Sequence, residues 1–212
     1  MFKVLSFRIE KNISTGMFIL GKNGVGVMRL RWLGNSCIEI LTPRHFVIDP
    51  NYVLKPEEGV EVVFVTHEHQ DHFDIDKYSE LKAPLVAPQH LLKEFDVEGT
   101  PAKVGEEIEG VKVYESWCWG AKESVSYYYN GLLHPGDSAK FPDAKDVKLA
   151  FTACFPDFYD DYVLEFKRIK PELVIPFHYS EKKIKNAKGL KERLDEEGID
   201  SKIVETGEII EI

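Results

Sequence analysis

The apolar positions along the chain change period several times. Near the start they alternate or cluster in short blocks. "VMRLRWLG", "SCIEIL", "HFVIDP" and "VEVVFVT" are β-branched, aromatic or alternating, are cut by Gly and Pro, and predict strands. A short helix is predicted over Ile75–Leu81, with Asp74 as its N-cap. "APLVAP" reads as a brief strand and "QHLLKEF" as a helix. From Ile108 strands return in "IEGVKVYESW", "SVSYYYNGLLHPG" and "VKLAFTAC". Tyr159, Tyr162, Val163, Phe166 and Ile169 then recur at helical spacing, so "YDDYVLEFKRIK" is an amphipathic helix. "PELVIPFH" has the pattern of a buried strand. "EKKIKNAKGLKERLDEEG" is a charged surface helix ended by Gly198, and "KIVETGEIIEI" closes as strand, turn and strand. Strand blocks followed by helices predict two sheets face to face with helices outside, a layered α/β fold.

Residues 1–27 stand outside this pattern. "MRLRWLGNSC" makes a natural domain start at Met28, which leaves an N-terminal extension read as a β-hairpin. Its "GKNGVG" does not fit the GxxxxGK[ST] phosphate loop and reads as a turn. The extension offers a strand to the sheet edge of a second subunit.

The 212 residues, 43% of them hydrophobic, suit one domain, with residues 28–212 as its body. A net charge of −9 gives nucleic acid no basic face to bind. Charged residues at 30%, Lys and Glu foremost, lean toward a heat-adapted source. Cys37, Cys118 and Cys154 are odd in number and widely spaced, which points to a reducing cytoplasm and no disulfide framework. The apolar runs are too short for a membrane span, and the N-terminus has no signal-peptide core. A cytoplasmic protein acting on a small molecule is the expectation.

The chemistry concentrates in "VTHEHQDHFD", directly after the apolar strand "EVVFV". His67, His69 and His72 fall within six positions in a chain with seven histidines, a clustering that chance rarely produces in a surface loop. Residues 67 and 69 share a side if the strand geometry persists. Two imidazoles and the Asp71 carboxylate on one loop suit a borderline divalent ion such as Zn²⁺, with Mn²⁺ or Fe²⁺ as alternatives.

"HEHQDH" matches the H-x-[EH]-x-D-H signature, and the chain from Met28 onward resembles the metallo-β-lactamase superfamily. "WLGNSCIEI" and "FVIDP" look like its opening strands, with Asn35 where many relatives have His. "LLHPGDS" resembles its G-D-[ST] strand end, and "LVIPFHY" its closing strand with a terminal histidine. Order and spacing are most similar to the ascorbate-phosphate lactonase-like branch. The resemblance implies a four-layer αββα sandwich and one or two metals. It makes Asp137 a carboxylate bridging two metals roughly 3.5–4 Å apart. His178 joins Asp71 and His72 on the second metal, and His67 and His69 hold the first. Taken alone, Asp137 reads as a turn residue and His178 as a core histidine.

Relatives give the first metal a third imidazole, whose place falls near Trp119 or Gly120, but "VKVYESWCWGAKE" contains no histidine. Cys118, Glu115 and His134 are the nearest substitutes. Each also has a plainer reading: Cys118 as a small buried hydrophobe, Glu115 as a solvated strand residue, His134 as a supporting or packing residue. The resulting expectation is a metal-dependent hydrolase of an ester, lactone or phosphoester, with Asp71 orienting the attacking water or serving as its base. The alternative is a degenerate, non-catalytic metal-binding member of the same fold. Lys182 and Lys183 read as solvated charges. The tryptophans and tyrosines of "ESWCWG" and "SVSYYYN" read as core, with a pocket wall as the second choice.

Overall fold

The computed structural model describes residues 26–212; the extension assigned to residues 1–27 lies, but for its last two residues, outside the described residues. The first half contains β1 (Arg29–Trp32), β2 (Ile38–Thr42), β3 (Phe46–Ile48), β4 (Val62–Phe64), α1 (Ile75–Leu81), β5 (Leu85–Ala87), α2 (Gln89–Glu94) and β6 (Thr100–Pro101). The second half contains β7 (Glu107–Ile108), β8 (Val111–Glu115), β9 (Val125–Tyr129), β10 (Leu132–His134), β11 (Leu149–Ala153), α3 (Tyr159–Ile169), β12 (Leu173–Phe177), α4 (Ile184–Glu196) and β13 (Ile209–Glu211).

One sheet runs β13-β1-β2-β3-β4-β5-β6 and the other β12-β11-β10-β9-β8-β7. Strands β3 to β6 are mutually parallel, as are β10, β11 and β12. Their carboxyl ends therefore leave each sheet together, and the loops that follow them meet. In α/β sheets this is where ligands bind.

Alternation along β4 shows how the layers form. Val62 and Phe64 enter the core between the sheets, while Val63 faces a second cluster with Leu91 and Leu92 of α2. With both faces covered, the strand reads as one apolar run. On the far side α3 contributes Tyr162, Val163 and Phe166, and α4 contributes Ala187, Leu190 and Leu194. The order is helices, sheet, sheet, helices, the αββα sandwich that the resemblance implied. Between the sheets Phe46, Phe64, Tyr127 and Tyr129 meet edge to face at 5.2–5.3 Å, and the Tyr127 hydroxyl donates to the Val65 carbonyl at 2.8 Å.

Helix α1 has the predicted bounds, and Asp74 accepts from the backbone N–H groups of Asp76 and Lys77. "SVSYYYNGLLHPG" is two strands, turned at Asn130 and Gly131, both with positive φ. "KIVETGEIIEI" departs from expectation. Its first half is not a strand, the bridge to Val174 being made by Ser201 just before it, and β13 alone is a strand. Only the Lys202 N–H, bonded to the Val174 carbonyl at 2.9 Å, ties residues 202–204 to a strand. Strand β13 pairs with β1, and Met28 and Ile212 exchange backbone hydrogen bonds at 3.0 Å. No helix among the described residues is long and apolar enough to cross a membrane.

Candidate metal centre

Four chain segments deliver the site. After β4 the backbone leaves the sheet, and a turn in which the His72 and Phe73 N–H groups both bond the His69 carbonyl at 2.9 Å folds "HEHQDH" back on itself. Phe73, buried against Tyr78 and Phe95, anchors the end of that turn. Asp137 follows β10 and His178 follows β12, at the carboxyl ends of the parallel strands. The loop between β8 and β9 brings in Cys118 and is tied to the first sheet by a bridge between His67 and Ser124.

Local conformation is costly at these points. His178, Asp49 and Asn35 adopt φ of +62°, +54° and +48°, the left-handed region that non-glycine residues enter rarely. Gly136 also has φ +62°, and a Cβ there would lie 3.2 Å from the Thr66 side chain. A bare backbone is what lets the β10 loop pass that close to the β4 loop and aim Asp137 inward.

Two donor groups result, each with all donor atoms within 4.8 Å of one another. One is His67, His69, Cys118 and Asp137; the other is Asp71, His72, Asp137 and His178. Asp137 presents Oδ2 to His67 Nε2 at 4.0 Å, and Oδ1 to His72 Nε2 at 2.9 Å and His178 Nε2 at 3.5 Å. One carboxylate therefore addresses both groups with different oxygens. Asp71 Oδ2 stands 3.1 Å from His178 Nε2.

The fit to metal rests on unpaired atoms. His72 Nε2, Asp137 Oδ1 and His178 Nε2 are buried without an aligned hydrogen-bond partner among the described residues. Buried polar atoms are rarely left unpaired. Three of them turned toward a common point, on residues of metal-ligating type, suit a divalent cation.

A polar network fixes the imidazoles from behind. Asp49, fully buried at the end of β3, accepts from the Thr66 N–H at 2.7 Å and from its hydroxyl at 2.8 Å, and its Oδ2 lies 2.7 Å from His72 Nδ1. The Thr66 hydroxyl is also 3.0 Å from His67 Nδ1. A carboxylate behind a histidine orients the ring and raises its basicity. Asp49 has no role in the sequence pattern of "FVIDP" beyond ending a strand; a carboxylate closing an apolar strand is the one signal there.

The charges follow from this packing. Burial opposes the charged form of His72, yet Asp137 and Asp49 outweigh it and raise the imidazole well above its ordinary value. Burial likewise opposes ionised Asp137, but His72 and His178 hold it well below the usual carboxylate range. Burial, seconded by the His72 charge, takes His67 down to about 3. The His178 ring holds Asp71 at about 2. Burial, then the Asp137 charge, pushes the Cys118 thiol up to about 12.

His67, His69, Asp71, His72, Asp137 and His178 thus come together. Of the three substitutes for the missing imidazole only Cys118 does, with Sγ 3.4 Å from His67 Nε2 and 3.6 Å from His69 Nδ1. Glu115 is exposed at the end of β8 and belongs to neither donor group: it shares the face of Val111 and Val113 but lies at the strand's open end. His134 is buried behind the site, its Nε2 3.3 Å from the Ser36 carbonyl and 4.0 Å from Asp49. It faces the supporting network, away from both donor groups. Tyr127 and Tyr129 are core, whereas Trp117 and Trp119 are 75% and 92% exposed and border a cleft of about 790 Å³ at the centre.

Sequence comparison finds similar proteins along most of the chain. A UPF0173 metal-dependent hydrolase of Nanoarchaeum equitans is 27% identical over 220 residues, covering 87% of this chain and 100% of that one. The chain is similar to the UPF0173 proteins. A UPF0173 metal-dependent hydrolase of Thermoplasma acidophilum is 29% identical across 72% of this chain and 84% of its own length. One from Metallosphaera sedula is 29% identical across 61% and 69%. No family model matches the chain. A crystal structure of a metal-dependent hydrolase of the beta-lactamase superfamily is similar at a TM-score of 0.46 and 11% identity, covering 87% of this chain and 99% of that one.

Proposed function

We propose that this protein is a metal-dependent hydrolase of a small-molecule ester, lactone or phosphoester, with one or two Zn²⁺ ions, or Mn²⁺ or Fe²⁺, held by His67, His69, Asp71, His72, Asp137 and His178. The observation that carries the reading is the pair of donor groups sharing Asp137. A divalent cation supplies Lewis acidity and lowers the pKa of water toward neutrality. The chain's own residues position the reactants. A carboxylate at about 2 is a weak proton acceptor, so Asp71, 55% exposed at the site, serves to accept a hydrogen bond from the attacking water and orient it. Asp49 and Thr66 keep His72 and His67 turned to the centre.

The lactonase-like branch and a cytoplasmic location belong to the same reading, the latter supported by three free cysteines. The non-catalytic alternative drew its motive from the missing imidazole, and Cys118 at that place weakens it.

Metal analysis of protein purified without added metal, joined to assays on esters, lactones and phosphoesters, tests the proposal. Bound metal and metal-dependent turnover of one class are expected, with less metal in Asp71→Ala and His178→Ala. Protein that is metal-free and takes up none on titration sinks it, and variants that keep full metal overturn the ligand assignment.

A further inference from the structure

We propose that the Cys118 thiolate joins His67, His69 and Asp137 as a protein ligand of the first metal position, and that this bond fixes Trp117 and Trp119 as an apolar substrate wall selecting uncharged esters or lactones. The substrate half rests on the hydrolase reading; the ligand half stands without it.

Donors around one tetrahedral ion with bonds of ~2.0–2.3 Å lie about 3.3–3.8 Å apart. Cys118 Sγ meets this spacing to two imidazoles at once, 3.4 Å and 3.6 Å. A thiol has one proton and can bond to only one of them at a time. The positions where an imidazole was expected are not available. Gly120 has φ +87°, its missing Cβ would stand 3.5 Å from His69 Nε2, and Trp119 points outward. The loop therefore turns Cys118 in and the tryptophans on either side out.

Few bonds hold this loop apart from Cys118. The Ser116 hydroxyl donates to the Pro135 carbonyl at 2.9 Å, the Trp117 N–H to Ser138 Oγ at 3.3 Å, and the Lys122 N–H to Glu68 Oε1 at 2.5 Å. A sulfur–metal bond would clamp its middle. The cleft it walls takes its apolar surface from Trp117, Trp119, Phe155 and Phe158, while Lys140 and Asp161 offer opposite charges. Two large aromatics this exposed mark a binding surface. A phosphoester dianion calls for convergent Arg or Lys donors. One Lys offset by one Asp does not supply them, so an acyl or ring substituent is the better occupant.

The test titrates metal-free, full-length protein with Co²⁺ as the probe. Near-ultraviolet thiolate-to-cobalt charge transfer is expected in wild type and absent in Cys118→Ser, with tryptophan emission shifting in the first and not the second. Cobalt bound without that band overturns the ligand assignment. Trp119→Ala leaves the ligands in place, so it guards against a Cys118→Ser protein that fails to fold. It should keep the band and raise KM for an aryl ester about tenfold, the worth of one aromatic contact. An unchanged KM, or wild-type preference for phosphoesters, overturns the wall. If no ester, lactone or phosphoester is hydrolysed by any form, the hydrolase reading falls while the cobalt spectrum still decides the ligand.

Discussion

At the residue scale the centre is a group of charges that the fold holds ready for a cation. His72 is raised well above its ordinary value by Asp137 and Asp49, so the metal-free protein carries it protonated at neutral pH. Its sign is that of a group raised on folding: the stability it contributes is full below an unfolded pKa of ~6.5 and is lost as pH rises through the folded value. A metal needs the opposite state, a neutral Nε2. Cys118, with its thiol pushed up to about 12, must also shed a proton to serve as a ligand. Metal binding at pH 7 should therefore release about two protons and tighten as pH rises. Calorimetry in buffers of different ionisation enthalpy measures this, and zero release contradicts the assignment of both residues.

At the element scale, the ends of strands do the positioning and their interiors set the distances. Asp137 is aimed by the turn after β10, where Gly136 passes Thr66 with positive φ. Gly136→Ala puts an L side chain into the left-handed region and against Thr66. It should cost at least about 1–2 kcal/mol in urea unfolding and lower metal content as Asp137 shifts. Normal stability with normal metal loading would mean the turn tolerates the strain and does not set Asp137. Periodicity found α3, whose Tyr162, Val163 and Phe166 face the core at helical spacing, whereas β4 showed as an apolar run and α1 through its Asp74 cap. It failed at "KIVE", where apolar residues pack without a ladder partner, because pairing is a property of two segments and the sequence displays one at a time.

At the scale of the whole molecule, the candidate centre joins the two sheets. His67, His69, Asp71 and His72 come from the first, Cys118, Asp137 and His178 from the second. A metal bound there should stabilise the native state as a whole, by about 2.7 kcal/mol at a hundredfold excess over Kd. Chelation should accordingly lower the urea midpoint of the wild type and that of His178→Ala by less; equal shifts in both would place the stabilising metal away from His178. The sequence by itself determined the layered α/β class and the "HEHQDH" donors, since both are written in local spacing. Resemblance to a family added Asp137 and His178. Tertiary structure alone chose Cys118 over Glu115 and His134, and gave Asp49 its place behind His72. Those choices turn on distances across 51 positions for Cys118 and His67, and 23 for Asp49 and His72, which only strand pairing and sheet stacking fix.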